Sequence, residues 1–456
     1  MPTERKSIHG EWSSRLAFIL AATGSAVGLG NIWRFPYVTG ENGGGAFVIV
    51  YLICVALVGI PVMMAEVMLG RRGRQSPVNT MRTLASDEHT SPHWQYLGLM
   101  GMIAGFMILS FYSVVAGWTM AYVVRIAAGV FEGATADGVA NLFGEFIADP
   151  ERLLAWHTLF MVLTTIVVSR GVKSGLEKAV RLLMPALFLL LLLMVGYAMN
   201  SGHFSEALNY LFYPDFSKLT SASLLAALGQ AFFSLSLGMG AIMIYGSYLS
   251  HHASIGRTVV IIASMDTLVA LIAGLAIFPL VFANNLEPQL GSGMVFKVLP
   301  IAFGHMPGGT LFGTLFFLLL VFAAWTSAIS LLEPVVTWLV EDRGMNRVKA
   351  SAWAGFTAWL LGVASLLSLN LWSDWKLFDR TIIELVEYLA ANVMLPLGGL
   401  LVALFAGWTM LRSSSHDELQ LPEPIYRLWQ LLVRYLAPVA VLVILLNATG
   451  ILDLGS

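Results

Sequence analysis

A chain of 456 residues that is 57% hydrophobic and only 11% charged carries less than half the charge of an ordinary soluble domain, about 25%, so water is excluded as its main solvent. The net charge of -2 and the absence of a basic run give no sign of a nucleic-acid partner. Cys54 is the single cysteine, which excludes an intramolecular disulfide.

Apolar stretches long enough to cross about 30 Å of hydrocarbon as helices recur from end to end. Eleven spans are predicted: 15–38, 45–69, 96–126, 153–168, 179–199, 224–249, 259–282, 310–340, 351–369, 383–410 and 428–451. The fold class is therefore an all-α polytopic membrane protein. The first span is interrupted by glycines, contains Arg34 and lacks a cleavage site of small residues, so it reads as a permanent span rather than a signal peptide. With the amino terminus inside, 18 of the 25 Lys and Arg fall in inward segments and 6 in outward ones, with Arg34 left within a span. The excess of inward positive charge predicts a cytoplasmic amino terminus and an outward carboxyl terminus. His251 and His252 are the only neighbouring histidines, and no HExxH or Cys/His spacing marks a metal site. No nucleophile, base and acid converge in the pattern, so an enzyme is not expected.

Two spans are marked by small and polar residues at mid-membrane. The first reads Gly24-Ser25-Ala26-Val27-Gly28-Leu29-Gly30-Asn31, and the sixth reads Ser234-Leu235-Ser236-Leu237-Gly238-Met239-Gly240. Either could be a close helix crossing through small residues. Two such interruptions five spans apart instead point to an inverted-repeat transporter, with half-helix termini facing substrate and ions at the midplane.

The stretch 12–70 carries Asn31-Ile32-Trp33-Arg34-Phe35-Pro36-Tyr37 and Glu41-Asn42-Gly43-Gly44-Gly45-Ala46-Phe47. With Phe111-Tyr112, the sixth span, Thr326-Ser327 and Leu395-Pro396-Leu397-Gly398-Gly399, it resembles the neurotransmitter:sodium symporter family over nearly the whole chain. Eleven spans resemble the bacterial branch that transports hydrophobic amino acids, in the inner (plasma) membrane. The resemblance implies the leucine-transporter fold in a single domain, 1–456. Two inverted five-helix repeats, 13–199 and 224–411, would be followed by an additional helix at 427–452.

The resemblance also implies two sodium ions and an amino acid, carried by symport. One sodium site would use the carbonyls of Gly24, Val27 and Ala323 with the hydroxyls of Thr326 and Ser327. The other would use Ala26, Asn31, Ser234 and Asp266, completed by the substrate's own carboxylate. That carboxylate would meet the amides of Leu29 and Gly30 and the Tyr112 hydroxyl, and the amine would meet carbonyls around Ala26, Phe233 and Ser236. Monoamine carriers of the family resemble a pattern with Asp at position 28; Gly28 here favours an amino acid. Ile108, Tyr112, Phe233, Met239, Ser327 and Leu331 would line a pocket for its hydrophobic or aromatic side chain. Phe233 and Tyr112 would form an outer lid, with Arg34 paired to Glu387 or, one turn earlier, to Glu384. At the inner gate His9 precedes Trp12 where a basic residue is usual, so Arg5 or Lys6 is expected to face Glu341 or Asp342. Asp266, where many relatives have Asn, implies independence from chloride. Gly175 and Pro185 resemble a motif for unwinding of the fifth span, with a static kink as the alternative. A membrane amino-acid sensor of the same fold is the rival function.

Overall fold

Ser14 opens the first long helix by accepting the Ala17 N–H at 3.1 Å, the usual service of a serine just outside a helix. In this computed structural model, which describes residues 5, 7–284 and 294–448, that helix runs Arg15–Ala26 (α1). It resumes after a break as Gly30–Glu41 (α2), bent from it by 50°. Then come Gly45–Gly73 (α3), Pro77–Asp87 (α4), Pro92–Ala127 (α5), Pro150–Ser169 (α6) and Val172–Met199 (α7). The second half holds Ser221–Ser234 (α8), Ala241–Ser247 (α9), Ile255–Ala283 (α10), Gly309–Arg343 (α11), Arg347–Leu367 (α12), Ile382–Thr409 (α13) and Glu423–Asn447 (α14).

Among the described residues, nine helices are long and apolar enough to cross a membrane, and α1 with α2 makes a tenth, broken span. The predicted span at 224–249 is not one of them, because it is built of a 14-residue and a 7-residue helix with residues 235–240 between them. A count of eleven rests on joining those two. Lys6 and the end of the last predicted span lie outside the described residues.

The start of the fifth predicted span is helical, not unwound. Val172–Glu177 is wound as a π-helix, and Gly175 lies so close to the Val167 carbonyl that a Cβ there would collide with it. Pro185 sits inside the continuing helix Lys178–Met199.

The two breaks lie side by side against α5 and α11. On α5, a Cβ at Gly101 would lie 3.1 Å from the Gly238 carbonyl oxygen, and one at Gly105 would lie 3.0 Å from that of Met239. Bare backbone on α5 thus lets the interrupted segment approach. In that segment Ser236, Gly238 and Gly240 have φ of 55°, 78° and 73°, the left-handed region where glycine alone is at ease. Backbone groups released from a helix in a membrane need partners. Glu66 of α3, 1% exposed, supplies one by accepting the Gly238 N–H at 2.6 Å. Glu333, fully buried on α11, accepts the Tyr248 hydroxyl at 2.8 Å and pairs with Arg347. Both carboxylates hold structure together.

Candidate functional site

Between α1 and α2 the chain extends at Val27, with φ -70° and ψ 102°, which turns successive carbonyls sideways. The Ser327 hydroxyl of α11 reaches three of them, those of Gly24, Ser25 and Val27, at 3.4, 3.2 and 3.5 Å. Thr326 packs its side chain against Gly24, where a Cβ would be 3.3 Å from that of the threonine. Its hydroxyl bonds within its own helix, to the Phe322 and Ala323 carbonyls at 3.2 and 3.1 Å. Carbonyls and hydroxyls without a carboxylate are hard oxygen ligands of low charge, suited to a monovalent cation that must leave again. Gly24, Val27, Ala323, Thr326 and Ser327 are thus brought together, and Ser25 joins them. Sequence reasoning missed Ser25, because the resemblance named the carbonyls of Gly24 and Val27 on either side and not the one that Ser327 approaches most closely.

A second polar cluster lies across the break. Asn31 on α2 donates from Nδ2 to the Asp266 carboxylate at 2.8 Å, to the Asp266 carbonyl at 3.0 Å and to the Ser234 hydroxyl at 3.0 Å. The Ser234 hydroxyl donates to the other Asp266 carboxylate oxygen at 2.6 Å, and the Tyr51 hydroxyl donates to Ser234 at 3.4 Å. Asn31 and Asp266 are 0% exposed. The assignment of the Asn31 amide follows its hydrogen-bond partners, its oxygen accepting the Gly28 N–H at 3.2 Å. A carboxylate in a membrane interior is costly without a cation or donors. Here it has two donors, the Asn31 amide and the Ser234 hydroxyl.

Between the clusters lies a narrow cavity. Its walls include Ala26, Gly28, Gly30, Ile108, Tyr112, Phe233, Ser236, Met239, Ser327 and Leu331, together with Ser25. Leu29 does not line it, but its N–H donates to the Tyr112 hydroxyl at 3.3 Å, which places that hydroxyl beside the start of α2. A helix amino terminus favours an anion there. Ser234 faces Asp266 instead of the cavity. Ser236 donates from its hydroxyl to the Ser25 carbonyl at 3.0 Å and ties the two breaks together. A Cβ on Gly28 would lie 2.6 Å from the Ser327 oxygen and 3.0 Å from that of Tyr112, so any larger residue displaces both.

One side of the cavity has a thin cover. Phe233 is half-buried, and the Arg34 guanidinium lies 4.7 Å from its ring centroid, a cation–π contact. The expected ion pair of Arg34 with Glu387 is not formed within 4.0 Å. Glu384 is engaged elsewhere, accepting the Thr381 N–H and hydroxyl at 2.8 and 2.9 Å. The aromatic face takes the place assigned to a carboxylate.

The opposite, amino-terminal side is thick. Trp12, 5% exposed, donates to the Tyr245 carbonyl at 3.2 Å and packs edge-on against Tyr245 and Tyr248. The expected partners of the acidic pair are corrected here. Arg5 binds Asp87 at 2.7 and 2.8 Å, Asp342 faces Arg82 at 3.8 Å, and Glu341 meets His9 at 3.1 Å. Glu341 also accepts the Ser76 N–H at 2.9 Å and the Asn79 amide at 2.8 Å. With two donors, the Ser76 N–H and the Asn79 amide, arranged around it, Glu341 needs no long basic side chain, and the imidazole three residues before Trp12 fits the gap.

The chain is 44% identical to MhsT, solved in complex with L-phenylalanine, with a TM-score of 0.89 over 96% of this chain and 99% of that one. It is 37% identical to the sodium-dependent transporter YhdH of Bacillus subtilis over 99% of this chain and 100% of that protein. A sodium-dependent transporter of Haemophilus influenzae is 34% identical over 96% of this chain and 97% of its own. The family model described as the sodium:neurotransmitter symporter family matches residues 9–131 and 147–452. On those matches and this fold, the chain is a sodium-dependent, multi-pass membrane transporter that belongs to the sodium:neurotransmitter symporter family.

Proposed function

We propose that the protein carries a hydrophobic or aromatic L-amino acid into the cell with two sodium ions, by alternating access and without chloride. The observation that carries this reading is the cavity itself. Apolar walls of Ile108, Phe233, Met239 and Leu331 face one spot equipped for a carboxylate, between two oxygen clusters equipped for cations. MhsT, which binds L-phenylalanine, has the same fold at 44% identity. Met239 adds a flexible thioether that adapts to differently shaped side chains.

The coupling follows from charge. The substrate carboxylate and the ion beside Asn31, Ser234 and Asp266 are each costly to bury alone, and each lowers the cost of the other. The ion beside Ser327 bridges α1 and α11, so its departure loosens that contact. The Asp266 carboxylate supplies the negative charge that an anion would otherwise bring. Residues 13–199 and 224–411 act as inverted repeats, with the helix at 427–452 added, in a bacterial inner membrane with the amino terminus cytoplasmic. Arg34, Tyr112 and Phe233, with Glu387 near, gate the outer side; Trp12, His9 and Glu341 gate the inner.

Counterflow of labelled L-phenylalanine in proteoliposomes tests this reading, with sodium replaced by potassium as the control. Sodium-dependent accumulation is expected. Binding without counterflow would make the chain a sensor. Phenethylamine, which lacks the carboxylate, should compete at least tenfold less well, the worth of one charge-assisted hydrogen bond or more; equal competition would overturn the shared-ligand site.

A further inference from the structure

A furrow separate from the central cavity lies between α11 and α12, with α5 at its floor. It is open to the surroundings and is walled by Phe106, Val335, Leu339, Met345, Trp353 and Thr357. Trp353 is 61% exposed. The one hydroxyl in the wall, that of Thr357, is used within its own helix, donating to the Trp353 carbonyl at 2.9 Å.

Val335, Leu339 and Arg343 follow at four-residue steps on α11, and Lys349, Trp353 and Thr357 do so on α12. Each set forms one helix face. Both faces end in a cation beside the turn at 344–346. They run about 12 Å from it, eight residues at 1.5 Å each, within the roughly 15 Å depth of one hydrocarbon leaflet. Arg343 and Lys349 are exposed, and neither forms an ion pair among the described residues. The nearby carboxylates are already engaged: Asp342 faces Arg82 at 3.8 Å, Glu333 holds Arg347, and Glu341 meets His9. The Arg343 guanidinium rests 5.9 Å from the Trp338 ring centroid.

We propose that this furrow binds an anionic phospholipid, with one acyl chain along the apolar walls and the phosphate between Arg343 and Lys349. Lipid tails are as apolar as the walls, so the tail alone confers no preference among lipids. The cations do, because juxtamembrane Lys and Arg draw anionic headgroups. An apolar trough charged at one end only, no longer than a leaflet is deep, matches an amphiphile better than a second helix bundle.

The test uses the full chain in phosphatidylcholine vesicles, with brominated acyl chains as a contact quencher of tryptophan. The signal of Trp353 is the fluorescence that the wild type loses and Trp353→Phe does not. Brominated phosphatidylglycerol should quench that signal at a lower mole fraction than brominated phosphatidylcholine. Arg343→Gln with Lys349→Gln should reduce the preference roughly fivefold for each cation removed, while Arg343→Lys with Lys349→Arg should keep it. Equal quenching by the two lipids in the wild type would overturn the proposal, as would a preference unchanged by the double Gln variant. Absence of quenching with cross-linking of two copies through Trp353→Cys, in a Cys54→Ala background, would give the furrow to a second copy and also overturn it.

Discussion

Ser327 and Thr326 are neighbours whose hydroxyls have different work. Ser327 crosses to three carbonyls of α1, whereas Thr326 bonds back to its own helix. Ser327→Ala should therefore weaken the sodium dependence of uptake about tenfold, the loss expected for a hydroxyl that contacts a charged group, and Thr326→Ala should weaken it less. Measuring the sodium concentration for half-maximal uptake in each variant checks the order; a larger effect of Thr326→Ala would reverse the roles assigned here. Asp266 permits a second test. With gluconate replacing chloride, wild-type uptake should be unchanged, and Asp266→Asn should lose activity or acquire a need for chloride. Strong chloride stimulation of the wild type would remove Asp266 from its role. The side chains of both clusters were named through the family resemblance, since by residue type alone a mid-membrane Ser or Thr is satisfied by its own helix backbone. Ser25 was not, because the resemblance carried over only the carbonyls of Gly24, Val27 and Ala323, and a carbonyl is marked by no residue type of its own. Nor was the meeting of Arg34 with Phe233, since a ring can serve as the partner of a cation and stays hidden among many apolar neighbours.

At the scale of elements, both helix breaks were legible from glycine and serine at mid-span, while the π-wound turns were not. Val55–Gly59, Val172–Glu177 and Tyr388–Met394 contain no common residue pattern, as expected where packing rather than propensity sets the winding. The amino-terminal strap was misread for a similar reason. A long basic side chain was expected at the inner gate, but the donors from Ser76 and Asn79 leave room at Glu341 only for the shorter His9. Farther out, the strap is fastened by Arg5, whose hydrogen bonds and charge hold the Asp87 carboxyl below the usual carboxylate range. Because that shift is downward, the fastening is complete above the ordinary aspartate value, about 3.9, and is lost only as pH falls through the lowered one. It is in place at neutral pH. Glu341→Gln should loosen the inner side without touching the cavity. A cysteine placed at Ser25, in a Cys54→Ala background, should then react several-fold faster with an impermeant thiol reagent from the amino-terminal side. Unchanged reactivity would show that Glu341 does not hold the gate.

Across the whole molecule, one buried network joins elements distant in sequence. Tyr248, just after α9, donates to Glu333 on α11; Glu333 pairs with Arg347 at the start of α12; and Arg347 donates to the Val168 carbonyl on α6 at 2.9 Å. Arg347→Met leaves the Glu333 carboxylate without its cation. The cost should be about 3–5 kcal/mol, as for other buried pairs broken on one side, and would be read as a lower thermal midpoint in detergent. Adding Glu333→Gln should recover part of that loss, and full stability of the single variant would deny the pair its structural part. The unequal covers of the cavity bear on how often a bound molecule completes its journey. Leaving past Phe233 requires one ring and the cation above it to move, whereas leaving past Trp12 requires the strap, two tyrosines and the contacts of Glu341 to yield together. A captured amino acid should therefore escape by the way it came many times for each crossing, so that residence time in the site reports the thin side and turnover reports the thick one.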